Sequence, residues 1–356
     1  MEELFDGIYK DKNVLVTGHT GFKGSWLSIW LNELGANVIG YALDPYTDQD
    51  NFVVTNLSEK ITDLRGEIRD YDNLLKTFEE EKPEIVFHLA AQPLVRLSYK
   101  EPRETYEVNV MGTVNVLEAA RQSDSVKTVI IITSDKCYEN NEWIWGYREN
   151  DPMGGYDPYS SSKGCAELVT SAYTRSFFEN EDSDIAVAST RAGNVIGGGD
   201  WAADRLITDC ISYLKEDKAI EIRSPKAIRP WQHVLEPLRG YLLLASKLYQ
   251  TPEKYTGAWN FGPDEASIVT VGELVDKLVN KWGSGKWIDT SNKNEPHEAK
   301  LLKLDISKAR YNLGWQPKLN INEAINMTVE WYKNYINGKV YDLCVEQINN
   351  FVDKKN

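Results

Sequence analysis

The chain has 356 residues, of which 42% are hydrophobic and 26% charged, the balance of a globular protein with room for one large domain or two intertwined lobes. Its formal charge of −14 argues against sequence-independent binding to DNA or RNA, which needs a basic face, but leaves room for a small anionic substrate held by a few arginines. Cys137, Cys165, Cys210 and Cys344 show no CxxC spacing and no accompanying histidines, so incidental thiols and no metal are expected. The N-terminus lacks the build of a signal peptide and no apolar run reaches about 18 residues, so the expected compartment is the cytoplasm.

Residues 13–17 (NVLVT) read as a short strand that ends on glycine. Over 23–34, Trp26, Leu27, Trp30, Leu31 and Leu34 fall at helical spacing, and Gly35 stops the helix. A strand over 38–43, a helix over 71–81 and a strand over 83–89 follow. Next come a long amphipathic helix over 105–122, a buried strand over 126–133, a helix over 159–178 and a strand over 185–191. This alternation predicts an α/β fold, a doubly wound parallel sheet covered on both faces. The second half loses the rhythm. Residues 1–190 read as a nucleotide-binding domain, with later returns to its sheet near 229–262, where 259–262 (WNFG) is the expected return strand. Residues 191–356 read mainly as a smaller, interleaved substrate lobe. A turn at 314–317 precedes a helix over 322–336, and 352–356 read as a frayed end.

The run Thr17-Gly18-His19-Thr20-Gly21-Phe22-Lys23-Gly24 sits between the first strand and the first helix, the context that gives a glycine motif its force. Gly18 permits the tight turn, Gly21 leaves room for a pyrophosphate, and Gly24 lets helix and strand pack closely. The amides of Phe22 and Lys23 open the helix toward the phosphates. This is a Rossmann-type dinucleotide site with GxxGxxG spacing. Asp44, after the second strand, is the candidate for the adenosine ribose and favours NAD over NADP; a solvated loop aspartate is the alternative. Glu67 to Asp70 lie where they can reach the adenine. Leu89, Ala90 and Ala91 end a strand with small residues across which a flat cofactor can lie.

Tyr159 and Lys163 stand at i and i+4, on one helical face. A tyrosine is a poor base at neutral pH, and a neighbouring lysine stabilises its phenolate, so that the pair can take a proton from a substrate alcohol as hydride leaves the carbon. Ser134, Asp135 and Lys136 follow the strand over 126–133, where polar residues sit over the ligand crevice. Ser134 can bind a sugar hydroxyl, and Asp135 with Lys136 can form an acid/base pair; a salt-bridged loop is the other reading.

With TGxxGxxG, HLAAQ at 88–92, Tyr-x-x-x-Lys and RAGNV at 191–195 in this order, the chain resembles the extended short-chain dehydrogenase/reductase family over nearly its whole length. Within it, GHTGFKGSW (18–26), HLAAQPLVRLSY (88–99), TSDKCYEN (133–140) and GGGDWAADRLI (197–207) resemble the CDP-glucose branch of the nucleotide-sugar 4,6-dehydratases. The resemblance implies bound NAD and a redox-neutral reaction: oxidation at C4, loss of water across C5–C6, and reduction at C6. Related dTDP-glucose enzymes carry Asp-Glu after the strand. Asp135 matches the acid, and Lys136 replaces the glutamate and can serve as the C5 base if burial or Lys163 lowers its pKa. The resemblance also places Asn194, Arg205, Arg229 and His297 on the nucleotide diphosphate side, with Arg229-Pro230-Trp231 offering a guanidinium fork and an aromatic surface. It implies a homodimer or homotetramer built on helices 103–122 and 159–178. A nucleotide-sugar 4-epimerase and a non-catalytic NAD-sensing protein are the competing readings.

Overall fold

In a computed structural model, described over residues 1–180, 183–291 and 301–354, the NVLVT run forms β1 (Asn13–Thr17) inside a seven-stranded sheet. It leads through the glycine turn into α1 (Phe22–Glu33), then β2 (Asn37–Ala42), β3 (Thr62–Arg65), α2 (Tyr71–Glu81) and β4 (Ile85–His88). A helix α3 over 102–121, β5 (Thr128–Ile132), a helix α4 over 158–178 and β6 (Ala186–Arg191) complete the first half. Each long helix contains a wide π turn, Glu107–Met111 in α3 and Thr174–Phe178 in α4. The expected return strand is β7 (Gly257–Asn260), which pairs in parallel with Ala188–Arg191 of β6.

The order across the sheet is β7-β6-β5-β4-β1-β2-β3, all parallel. It reverses direction between β1 and β4, and that switch opens a crevice at their carboxyl ends. The fold is therefore the expected doubly wound Rossmann type. Strand residues such as Val14, Leu15, Val16 and Val129–Ile132 are buried because helices cover both faces. One face carries Leu74, Phe78, Val116, Leu117 and Phe178, from α2, α3 and α4. The other carries Trp26 and Trp30 of α1, packed with residues of five helices from the second half.

Those helices are α5 (Leu206–Lys215), α6 (Leu235–Gln250), α7 (Val271–Trp282), α8 (Ile321–Asn334) and α9 (Val340–Asp353), with α7 packed beside α8. Short strand pairs join Val195–Ile196 to Gln232–His233, Ile228–Pro230 to Ile268–Thr270, and Ile220–Ile222 to Trp287–Asp289. The frayed end expected at 352–356 is corrected through residue 354. Lys318 Nζ donates to the Val352 and Lys354 carbonyls at 2.8 and 2.7 Å, and Lys354 bonds Glu323, so α9 is tied to α8 to its last turn. Among the described residues no helix is long and apolar enough to cross a membrane.

Candidate active site

The glycine turn has the shape its sequence requires. Gly18 sits at φ +77°, in the left-handed region, and a Cβ there would lie 2.7 Å from the Ala90 amide nitrogen. A Cβ on Gly24 would lie 2.1 Å from the Gly18 carbonyl oxygen, so α1 can approach the turn only as glycine. Among the described residues, a Cβ on Gly21 would meet just the Gly18 carbonyl oxygen, 3.4 Å away, which leaves room for a phosphate at the first amides of α1. The 89–91 backbone is locked against this turn: Ala90 N donates to Thr17 Oγ1 at 3.2 Å, and Thr17 Oγ1 lies 2.8 Å from His88 Nδ1. Burial, reinforced by Lys163, drives His88 down to about 3, so it is a neutral spacer. Asp44 follows β2 with an exposed carboxylate 3.4 Å from Arg65 Nε, and Glu67 pairs with Arg69 beyond β3. The cradle fits a dinucleotide.

The catalytic helix begins with its own device. Asp157 caps α4, its carboxylate accepting from Ser160 N at 2.9 Å and Ser160 Oγ at 2.6 Å, and Pro158 fills the first helical position. Tyr159 is thereby held in the first turn, with its amide donating to Ser98 Oγ at 3.2 Å. Its phenol lies beside Ser134, whose hydroxyl tempers the rise that burial gives it. Ser134 Oγ donates to Asp135 Oδ1 at 2.9 Å and accepts from Lys136 N at 3.2 Å. A polar row thus runs from Tyr159 past Ser134 to the buried Asp135.

The electrostatics depart from the simple pair expected of Tyr159 and Lys163. Burial raises the Tyr159 phenol, and the cation that pulls hardest the other way is Arg205. Burial, aided by Lys23, lowers Lys163 to about 8, against the upward pull of Glu167. Lys23, expected only to offer its amide to phosphates, also sends its side chain toward this centre. It too falls to about 8, through burial first and Arg205 second, with Asp135 and Asp200 opposing. Arg205 is therefore the leading cation at the phenol, whereas Lys163 is coupled first to Lys23 and then to Glu167.

Two further expectations are corrected. Lys136 is exposed while Asp135 beside it is buried, because the short helical turn Asp135–Cys137 points the two in different directions. The protein by itself does not supply the burial invoked to lower the Lys136 pKa. Trp231 is packed in the core rather than offered as an aromatic surface. Arg229 is half-buried, and its Nη1 donates to the Ile228 carbonyl at 2.9 Å. Asn194 adopts φ +48° just beyond β6, and Arg205 caps α5. His297 lies outside the described residues. Motif reading missed Asn109, whose Nδ2 donates to Ser162 Oγ at 2.8 Å and to the Gln92 carbonyl at 3.1 Å, bracing the 89–92 segment against α4. Its one signal is its place in a π turn, a frequent mark of functional helices. Glu167 and Arg191 were missed too. Among the described residues no cluster of histidine, cysteine, aspartate or glutamate could hold a metal ion.

The family model for GDP-mannose 4,6 dehydratase matches residues 15–328, a span that holds the glycine turn, the 134–136 turn and the Tyr–Lys helix. The chain belongs to this family. CDP-glucose 4,6-dehydratase of Salmonella typhimurium is 54% identical over 340 residues, 94% of each chain. The human dTDP-D-glucose 4,6-dehydratase is 28% identical over 344 residues, again 94% of each. Among solved structures, MoeE5 in complex with UDP-glucuronic acid and NAD is 26% identical with a TM-score of 0.76, covering 90% of this chain and 99% of that one. UDP-glucose 4-epimerase of Thermotoga maritima with UDP-glucose is 25% identical, also at 0.76, covering 91% and 99%.

Proposed function

We propose that the chain is an NAD-dependent CDP-glucose 4,6-dehydratase, forming CDP-4-keto-6-deoxyglucose and water. The observation that carries the reading is the grouping of Tyr159 with Ser134 and the buried carboxyl group of Asp135, which accepts from Ser134 Oγ at 2.9 Å. An alcohol oxidation, or an epimerisation built on it, needs a base at the hydroxyl and no second acid. Dehydration needs both. The identity of 54% to a CDP-glucose enzyme over 94% of each chain supports the choice of nucleotide.

NAD, bound in the glycine cradle, would supply the hydride acceptor for C4 and the hydride donor for C6. Gly18, Gly21, Phe22, Lys23 and Gly24 would hold its pyrophosphate, Asp44 its adenosine ribose, and Leu89 to Ala91 would lie under it. Tyr159, assisted by Lys163 and Arg205, removes the proton of the sugar 4-hydroxyl. The proton passes along Ser134 to Asp135, which gives it to the leaving 6-hydroxyl as water. Lys136 takes the C5 proton, now acidified by the neighbouring ketone, and returns a proton to C5 as C6 is reduced. Lys136 is exposed in the free enzyme and so open to the bound sugar. Asn194, Arg205, Arg229 and His297 take the diphosphate side. The sheet with its flanking helices, residues 1–190 and the later return, is the NAD domain, and 191–356 supply most of the substrate lobe. The free thiols suit a cytoplasmic enzyme.

Two copies meet through α3 and α4, whose outer faces expose Tyr106, Met111, Leu168 and Phe177; a tetramer pairs two such dimers. The deciding experiment follows CDP-glucose by NMR in deuterated water, with UDP-, dTDP- and GDP-glucose in parallel. A new C6 methyl group with deuterium at C5, from CDP-glucose alone, is expected. A methyl group from another nucleotide would overturn the base assignment. Inversion at C4 without a methyl group would make the chain an epimerase, and no turnover of any sugar despite retained NAD would make it a sensor.

A further inference from the structure

Beneath the catalytic turn lies an ion pair that the reaction scheme does not use. Glu167, on α4 one helical turn beyond Lys163, and Arg191, at the end of β6, meet at 2.7 Å with each side chain only 4% exposed. Glu167 Oε1 accepts from Thr133 Oγ1, and Oε2 accepts from Ser189 Oγ at 2.7 Å. Arg191 Nη1 donates to the Tyr138 hydroxyl at 2.6 Å and to the Glu149 carbonyl at 2.9 Å, and the guanidinium lies 4.9 Å from the Tyr138 ring centre. Tyr138 in turn donates to Asn260 Oδ1 of β7 at 2.8 Å.

The sequence positions give this network its meaning. Thr133 immediately precedes the segment Ser134–Cys137, and Tyr138 immediately follows it. The carboxylate grips one end of that segment and the guanidinium grips the other. A third constraint comes from Gly193, two residues beyond Arg191, where a Cβ would stand 1.9 Å from Asp135 Oδ2. We propose that the Glu167–Arg191 pair is a positioning clamp that fixes Asp135 for the elimination step.

Stability alone is a poor reason for such a pair. Burying two charges costs desolvation that their attraction only partly offsets, and apolar replacements of buried pairs are often neutral or stabilising. Here the charges reach what apolar groups could not: a hydroxyl on each side of one short turn, in fixed geometry. Burial pushes the Glu167 carboxyl upward, but Arg191 and the two hydroxyl donors together hold it below the ordinary carboxylate range. Neither residue touches the reacting atoms, so both act through Asp135.

The test rests on the dehydratase reading and separates its failure from that of the clamp. Glu167→Gln keeps the size of the side chain and removes its charge. Its kcat for 6-deoxy product is expected to fall by about a hundredfold, the effect of misplacing a catalytic group by about an ångström, while KM for CDP-glucose moves less than about twofold. Oxidation at C4 continues ahead of the stalled elimination, so the share of enzyme holding reduced nicotinamide during turnover rises, read by its near-ultraviolet absorbance. A loss of folded protein would lower every signal together. Arg191→Lys, which keeps the charge but loses the guanidinium's paired contacts with Tyr138 and Glu149, is expected to give the same accumulation and serves if Glu167→Gln does not fold. Combining Glu167→Gln with Asp135→Asn should add little to the loss caused by Asp135→Asn alone. Losses that multiply, or a slowed variant without accumulation of reduced nicotinamide, would overturn the clamp while leaving the dehydratase intact. A wild-type enzyme that forms no 6-deoxy sugar would sink the reading of function, and the clamp with it.

Discussion

At the scale of the single residue, the balance of charge around the Tyr159 phenol decides when it can act. Burial raises the phenol and Arg205 opposes that rise most strongly. In the proposed reaction the phenolate is the working base, so a higher pKa leaves less of it at any given pH. Arg205→Met should therefore move the acid limb of the kcat profile to higher pH at saturating CDP-glucose. An unmoved limb would show that Arg205 serves substrate binding alone. Lys136 makes a separate prediction. Lys136→Met should abolish incorporation of solvent deuterium at C5 while reduced nicotinamide still forms from C4, as seen by absorbance and NMR on the same sample. Continued exchange would assign the C5 proton to another group.

At the scale of the element, α6 shows how one buried group ties two parts of the chain. Glu236, in its first turn, accepts from Lys318 N at 2.7 Å and Leu319 N at 2.6 Å and so anchors the segment that leads into α8. Burial raises its pKa to about 7. A folded pKa above the unfolded value means that the native state holds the proton more tightly. Stability from this group is full below the ordinary carboxylate range and is lost as pH rises through about 7. Glu236→Gln keeps an acceptor for both amides and removes the titration. Melting temperatures of the variant should fall less than those of the wild type as pH rises across that window; parallel curves would refute the assignment.

The same scale shows what could be read in advance. α1, α2 and α4, and the strands between them, were legible because each has one clear period or a branched aliphatic run between breakers. α7 carried legible signals too, a Thr270–Glu273 capping box and Gly283 at its end, and these were passed over in a half without βα rhythm. α6 was harder, since most of its residues are buried and no polar stripe marks a period. The glycine turn and the Tyr–Lys pair are local in sequence and were visible as motifs. The resemblance placed Arg205 on the diphosphate side but not at the phenol, and Asn109 and the pairing of Glu167 with Arg191 were not visible, because these roles arise from contacts across tens of residues. The opposite orientations of Asp135 and Lys136 depend on a single helical turn that adjacency alone does not reveal.

At the scale of the whole molecule, the exposed apolar faces of α3 and α4 lie on the same side of the sheet. If two copies meet there, Leu168, which is 59% exposed on α4, sits in the contact. Leu168→Glu should halve the mass measured by light scattering if the wild type is a dimer, or lower a tetramer to smaller species; an unchanged mass would place the interface elsewhere. The sheet has one more consequence. Its outermost strand, β7, is made from residues 257–260, after more than sixty residues that belong mostly elsewhere. As the chain leaves the ribosome, β6 presents an unpaired edge throughout that interval, at the very place where Arg191 closes its ion pair. The nascent protein is most exposed to mispairing and chaperone capture between the emergence of these two strands, and the arrival of Trp259 and Asn260 ends that window.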